Sequence, residues 1–350
     1  YWEIYMLSIP GTAFILYSKN LFKWTFQKNK YLIITIGHAL CTLIFTFIFI
    51  HYYEMNVNGV LFAPVLSNTI FGVIGIRLCR NYFVIKNIWD RKIVKGMLKY
   101  GMPFALVMVI STMLPALDRL FLIRFTDLET IGEYSAALKI CGLLYLVTST
   151  FQISFGPYAY SIWHEEGANK KFSDWMILYF ALLLTIGVIS TCFGEFIITI
   201  FAGKQYINVI YLLPIMFTAI AIKSLSEFSL IGISWSKKSY LNLVAEIVKF
   251  LILLLCLTLS VEKFTVMGVC ISILIAEIIY IVITFSISNK YYKIRTYYGK
   301  FISIILISVI MHYIKITNVD SYLAYTLLIP YLVLCYSIIR YKFIARAQNI

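Results

Sequence analysis

The residues of this chain that could do chemistry are ionisable side chains inside long apolar runs. Lys139, Lys223 and Lys249 interrupt such runs, and so do the carboxylates Glu246 and Glu277. A charged side chain at the centre of a membrane span costs about 2.5 to 3.5 kcal/mol on insertion scales, so it usually faces a cavity or a partner. Each of these residues is therefore a candidate for an ion or substrate path, with a structural ion pair as the alternative.

Lys139 has no acidic residue three or four positions away on its own helix. At a rise of 1.5 Å per residue it lies roughly 12 Å from the outer end of the predicted span 131–155. One interpretation is a cation that lines an aqueous path for an anionic substrate. The other is a lysine that pairs with an acid on another helix, or whose long stem carries the ammonium outward to the headgroups.

The other intramembrane charges fall into two pairs and one isolated acid. Lys223 and Glu227 are four residues apart, and Glu246 and Lys249 are three apart, so each pair shares a helix face. Glu277 has no basic residue within four positions. It is either a protonatable site for ion coupling or a protonated carboxyl group that is hydrogen-bonded inside the bundle.

Asp118 and Arg119 are adjacent at the predicted outer end of the span 97–117. Adjacent residues do not face each other on a helix, so we expect separate partners for them. The chain contains no nucleotide-binding, metalloprotease or serine-hydrolase motif and no acid cluster with metal-ligand spacing. We therefore predict no enzymatic activity, catalytic residue, metal or cofactor, although a membrane transferase that uses single scattered acids stays open here.

The elements that position these charges are membrane-spanning helices. Hydrophobic residues make up 61% of the chain and charged residues 13%, which excludes a soluble globular domain. About 20 apolar residues cross the hydrocarbon core, and the segment 31–50 meets that length without one charged side chain. About eleven such runs predict an all-α, polytopic membrane protein.

Loops rich in Lys and Arg alternate with loops that hold few of them, and the rich loops of membrane proteins stay in the cytoplasm. This alternation places the C-terminal tail with Arg340, Lys342 and Arg346 on the cytoplasmic side. The net charge of +14 is concentrated in these loops, so we expect no nucleic-acid partner. In the segment 80–96 basic residues alternate with apolar ones, which predicts an amphipathic helix on the anionic inner leaflet and a boundary between two bundles.

Two segments resemble one protein family. The first is PALDRLFLIRFTDLETIGEYSAALKI at 115–140, and the second is FQISFGPYAYSIW at 151–163. They resemble bacterial polysaccharide repeat-unit flippases, which include the O-antigen flippases, within the multidrug, oligosaccharidyl-lipid and polysaccharide exporter superfamily. The positions that carry the resemblance are Asp118, Arg119, Gly132, Tyr134, Ser135 and Lys139.

The resemblance implies a fold of fourteen spans in two helical bundles, of which eleven are visible and three precede this sequence. Residues 1–80 would then be the remnant of the N-terminal bundle, and 81–96 a cytoplasmic amphipathic linker. Residues 97–287 would form the C-terminal six-helix bundle, and 288–350 two additional helices and the cytoplasmic tail.

The function implied by the resemblance is translocation of undecaprenyl-diphosphate-linked oligosaccharide across the bacterial cytoplasmic membrane by alternating access, for O-antigen or capsule assembly. Expected partners are this substrate, membrane lipids and the polysaccharide polymerase machinery. The path for a diphosphate should be cationic, and we expect Lys139, Arg119 and Lys223 to supply the positive charge. Possible coupling or structural acids are Asp118, Glu277 and Glu227. The alternative is a cation-coupled multidrug exporter of the same superfamily, whereas short outer loops argue against a polymerase.

Overall fold

The computed structural model describes residues 2–83, 90–294 and 298–316, together with residues 330, 331 and 333. Every regular element in these ranges is helical, as predicted. The α-helices are α1 Trp2–Trp24, α2 Lys28–His51, α3 Asn56–Cys79, α4 Arg91–Phe125, α5 Leu128–Ile162, α6 Ala168–Cys192, α7 Gly194–Phe201, α8 Leu213–Ser224, α9 Ser226–Ser229, α10 Ile231–Trp235, α11 Tyr240–Ser288 and α12 Tyr298–Ile316.

Seven helical stretches of the described residues are long and apolar enough to cross a membrane: Lys28–His51, Asn56–Tyr82, Arg91–Phe125, Leu128–Ile162, Ala168–Cys192, Lys204–Trp235 and Tyr240–Ser288. The chain is therefore a multi-pass helical membrane protein. The count of eleven spans, and of fourteen for the family, stays a prediction. The last predicted span, 321–339, lies outside the described residues except for residues 330, 331 and 333.

α11 is a helical hairpin. Its 49 residues would extend about 74 Å as one straight helix, more than twice the thickness of the hydrocarbon core. Instead the backbone breaks at Thr265, where φ is 47° and ψ is −124°. Across this break Ser260 Oγ donates to Gly268 O at 3.0 Å, and Tyr280 in the second half donates to Asn242 in the first, so the two halves run antiparallel. The break lies at the start of the predicted span 265–287.

The chain divides into two compact units, unit 1 at Tyr1–Arg91 and unit 2 at Lys92–Ile350. This division falls within the predicted linker 81–96. Residues 84–89 of that segment lie outside the described residues, so its amphipathic helix remains a prediction. The predicted cytoplasmic tail, with Arg340, Lys342 and Arg346, also lies outside the described residues.

In unit 1 the close approach of α1 and α3 depends on glycine. A Cβ at Gly11 would lie 2.7 Å from the backbone carbon of Asn68, and one at Gly72 would lie 3.2 Å from Gly11 O. Small residues let helix backbones approach closely in membranes, where dispersion contacts drive association. A neutral hydrogen-bond network adds to this packing. His38 Nε2 and Asn68 Oδ1 are 2.7 Å apart, and Asn68 Nδ2 donates to Thr12 Oγ1 at 2.9 Å.

Unit 2 contains α4 to α12 around one large apolar core. The start of α5 is fixed by Asp127, whose side chain accepts from Thr130 N at 3.0 Å in an N-terminal cap. Hydrogen bonds from the Thr130 side chain and backbone hold the pKa of Asp127 below its usual range. This cap sets the register of a helix that carries several site residues.

The Gly11 contact predicts a large asymmetry between two glycine substitutions. Gly11→Ala should destabilise the protein by about 1 to 3 kcal/mol, because the added methyl group overpacks the contact of α1 with α3. Gly101→Ala in α4 is the matched control, since a Cβ there meets nothing within 4 Å. The measurement is the free energy of unfolding in mixed detergent micelles. Equal effects of the two substitutions would contradict the packing argument.

The Asp127 cap predicts a stability difference that depends on pH. Because the pKa of Asp127 is lower in the folded state, the charged cap stabilises the protein at pH values above the unfolded-state pKa of 3.8. This stabilisation is lost as the pH falls through the folded-state pKa. Asp127→Asn keeps a capping oxygen that does not titrate. The natural protein should therefore lose thermal stability relative to Asp127→Asn as pH falls below about 4. If the difference in melting temperature between the natural protein and Asp127→Asn is the same at pH 3 and pH 6, the cap is not charged.

Candidate functional site

A cavity of about 120 Å³ lies inside unit 2, between α4, α5, α8 and both halves of α11. Most of its lining is apolar, with leucine, isoleucine, methionine and alanine side chains. Its polar lining residues are Ser111, Asp118, Tyr134, Tyr145, Lys223, Lys249 and Glu277. Four of these are ionisable acids or lysines inside membrane helices, which is the arrangement that usually marks an ion or substrate site.

Lys249 is the central charge of the cavity. Its Nζ lies 2.7 Å from Glu246 Oε1 and 3.6 Å from Glu277 Oε1, and it also sits 4.6 Å above the ring of Tyr280. All three of these charged residues are at most 5% exposed. The ion pair with Glu246 follows from the three-residue spacing on one helix, whereas the contact with Glu277 exists because the α11 hairpin brings its second half alongside the first.

Hydrogen bonds extend this cluster to α4 and along α11. Ser111 Oγ on α4 donates to Glu246 Oε1 at 3.0 Å. Tyr280 Oη, whose ring lies under Lys249, donates to Asn242 Oδ1 at 2.9 Å. Glu246 therefore accepts from an ammonium and a hydroxyl at the same oxygen, which is how a buried carboxylate is kept stable in a low-dielectric interior.

A second buried carboxylate, Asp118, faces the same cavity from α4. Tyr134 Oη on α5 donates to Asp118 Oδ2 at 3.1 Å. The other oxygen, Asp118 Oδ1, and likewise Glu277 Oε2, has no hydrogen-bond partner in the described part of the chain. Buried carboxylate oxygens without a donor are costly, so these two atoms are the places in the cavity where a proton or a cation would be stabilised.

The structure brings together three of the predicted site residues. Asp118, Lys223 and Glu277 all line the cavity. Asp118 is not at the end of its helix as expected, because α4 continues to Phe125. Lys223 is exposed at the edge of the cavity, with its Nζ 5.9 Å from the centre of the Tyr145 ring.

Three other predicted residues lie elsewhere. Lys139 on α5 and Arg119 on α4 are exposed and do not line this cavity. Glu227 is half-buried on α9. Because α8 ends at Ser224, Lys223 and Glu227 do not lie on one continuous helix, as the expected pair requires. Within the described residues no carboxylate lies within 4.0 Å of Lys223 or Lys139.

Sequence reasoning left Glu246 and Lys249 open between an ion or substrate path and a structural ion pair, and it did not single out Ser111. The spacing of Glu246 and Lys249 indicated an ion pair, but a spacing cannot tell whether a pair faces a cavity. Ser111 carries no sequence signal, since serine is common in membrane helices. Among the described residues no group of three metal-ligating side chains occurs.

Comparison with known proteins adds a family similarity. Residues 1–159 match the family model described as "Polysaccharide biosynthesis protein". Over 200 residues the chain is 27% identical to the uncharacterized membrane protein MJ1068 of Methanocaldococcus jannaschii, a match that covers 52% of this chain but only 38% of that protein. No solved structure matches the chain significantly. The family match includes Asp118 and Lys139, and it ends before α8 and α11.

The buried cluster predicts that Lys249→Met lowers the free energy of unfolding by about 3 to 5 kcal/mol, because two carboxylates are left buried without their counter-ion. Adding Glu246→Gln should restore part of this loss. The control is Lys171→Met in the pair Lys171–Glu165, which has a similar distance of 2.7 Å but exposed side chains. That change should cost about 1 kcal/mol or less. Equal losses for the two lysine variants would contradict a desolvated cluster.

Proposed function

We propose that this chain acts as a flippase for undecaprenyl-diphosphate-linked oligosaccharide. The observation that carries the proposal is the match of residues 1–159 to a polysaccharide biosynthesis family in a multi-pass helical membrane protein. A hydrated glycan and a diphosphate cannot cross hydrocarbon unaided, because every unpaired polar group is costly there. A membrane protein of polysaccharide synthesis is therefore a reasonable carrier for this step.

The distribution of charge in unit 2 supports one role for the acids of the cavity and another for the exposed cations. The cavity contains the carboxylates Asp118 and Glu277 and only one buried lysine, Lys249, with Glu246 paired to that lysine. An anionic substrate would be repelled there. The exposed cations Lys139, Arg119 and Lys223 are the better partners for a diphosphate, as an ammonium or guanidinium at the edge of a water-filled path can bind it without prior desolvation.

We assign the acids of the cavity to ion coupling. Asp118 and Glu277 each have an oxygen without a donor in the described structure, and a proton or a sodium ion would complete both. Movement of an ion into and out of this site would bias an alternating-access cycle, since a ligand shifts a conformational equilibrium by its difference in affinity for the two states. Glu227 lies outside the cavity lining, and a structural role suits it better.

The remaining parts of the proposal follow from the loop charges and from the family similarity. The protein would reside in a cytoplasmic membrane with its C-terminal tail in the cytoplasm. It would act without enzymatic chemistry and would deliver its cargo to a polysaccharide polymerase, as part of O-antigen or capsule assembly. Membrane lipids would be its other partners.

A cation-coupled multidrug exporter is the second candidate function. The observation in its favour is the same buried acid site, because exporters that exchange a drug for an ion need a carboxylate that releases its cation in one state. Such a protein would not need Lys139 or Arg119, which are exposed cations suited to an anionic cargo.

The test is rescue of surface glycan in a bacterial strain that lacks its own repeat-unit flippase. The natural sequence should restore surface polysaccharide, and Lys139→Glu should abolish it by placing a negative charge on the diphosphate path. Lys170→Glu, at an exposed lysine in the first turn of α6, is the matched control and should retain export. Membrane levels of all three proteins are compared by immunoblot.

Full export by Lys139→Glu would remove that residue from the proposed path. Failure of the natural sequence to restore glycan, together with drug resistance conferred on the same strain, would favour the exporter instead.

A further inference from the structure

Lys223 occupies an unusual position, because it belongs to the buried cavity and to the exterior at the same time. It lines the cavity beside Asp118, Lys249 and Glu277, yet its side chain is exposed. The Tyr145 ring, 5.9 Å from Lys223 Nζ, also lines the cavity and is 44% exposed. These two side chains therefore form the mouth of the cavity, defined here as Lys223 and Tyr145.

The charged residues that line the cavity with Lys223 come from two elements. Asp118 lies on α4 next to the exposed Arg119, and Glu277 and Lys249 lie on α11, where Lys249 is paired with Glu246. The other titratable groups of the lining are neutral hydroxyls and thiols: Tyr134, Cys141 and Tyr145 on α5, and Cys270 on α11. Lys249 thus pairs with Glu246 and Glu277, Arg119 is the cation that acts on Asp118, and Lys223 is the third cation of the group.

The position of the Lys223 ammonium decides whether the carboxylates of the cavity are neutralised. In a low-dielectric interior a carboxylate without a counter-ion destabilises the folded protein, so a cation must lie close to it. With Lys223 turned inward, Lys223, Lys249 and Arg119 balance the three carboxylates Asp118, Glu246 and Glu277, and with Lys223 turned outward the group is one positive charge short. Lysine is a compact cation on a flexible four-carbon stem, and no carboxylate in the described chain lies within 4.0 Å of Lys223, so it can move between the two positions.

We propose that Lys223 is a shared counter-ion, which compensates the cavity carboxylates in the absence of substrate and turns to the diphosphate of a lipid-linked substrate when one binds. The carboxylates then take up a cation from the aqueous phase in its place. The cation is a proton on Asp118 or Glu277, or a sodium ion between them. This inference rests on the proposed function. It makes Lys223 the residue that couples binding of the diphosphate to uptake of the cation.

The experiment measures cation uptake on binding of farnesyl diphosphate, a short isoprenoid diphosphate used as the probe. Titration calorimetry at pH 8 in Hepes and in Tris, which differ in ionisation enthalpy, gives the number of protons taken up by the purified protein per ligand bound. Each titration is repeated with sodium chloride replaced by choline chloride. The natural protein should take up a proton, or should bind the probe more tightly in sodium.

Three variants separate the possible roles of the lysines. Lys223→Gln should weaken binding about tenfold and remove both the proton uptake and the sodium effect, because the carboxylates have already acquired their cation. Lys223→Arg should keep the linkage. Lys139→Gln, an exposed lysine outside the cavity, should weaken binding yet retain the same uptake.

The outcomes distinguish the inference from the function on which it rests. Proton uptake or sodium dependence that Lys223→Gln removes and Lys139→Gln retains supports the shared counter-ion. Binding of the probe with identical cation linkage in the natural protein and Lys223→Gln overturns it, while the proposed function stands. Absence of probe binding by the natural protein and its variants contradicts the proposed function, and the inference with it.

Discussion

A single ammonium group in an apolar interior constrains most of unit 2. Lys249 is stable there only because Glu246 and Glu277 lie within reach of its Nζ. Glu277 reaches Lys249 because α11 folds back on itself at Thr265, and Glu246 is in turn held by Ser111 of α4. The hairpin register, the position of α4 and the shape of the cavity are therefore coupled to the requirement that one buried charge be neutralised.

The elements of this fold can be predicted from the sequence because membranes restrict backbone structure. Every backbone polar group in hydrocarbon must be bonded internally, so long apolar runs can only be helices. The i,i+3 spacing of Glu246 and Lys249 likewise indicates their ion pair. The pairing of Lys249 with Glu277, in contrast, depends on where the α11 hairpin turns, and that register is fixed by contacts such as Ser260 to Gly268.

The depth of a residue in a span does not determine which face of the helix it occupies. Lys139 was predicted from its depth in a span and from the absence of a local acid, but depth does not say which way a side chain points around the helix. The structure places Lys139 on an exposed face of α5, whereas Tyr134 on the same helix is buried against Asp118. One sequence cannot separate these faces in a helix that is apolar nearly all round.

The two units solve the problem of polar groups in a membrane differently. The polar contacts described between helices of unit 1 are neutral. Because Asn68 Nδ2 donates to Thr12, its Oδ1 accepts from His38 Nε2–H. Unit 2 instead contains buried carboxylates, of which Glu246 and Glu277 are paired with the ammonium of Lys249. Among the described residues of unit 2, loss of the Lys249 ammonium would therefore leave Glu246 and Glu277 as buried charges without a counter-ion.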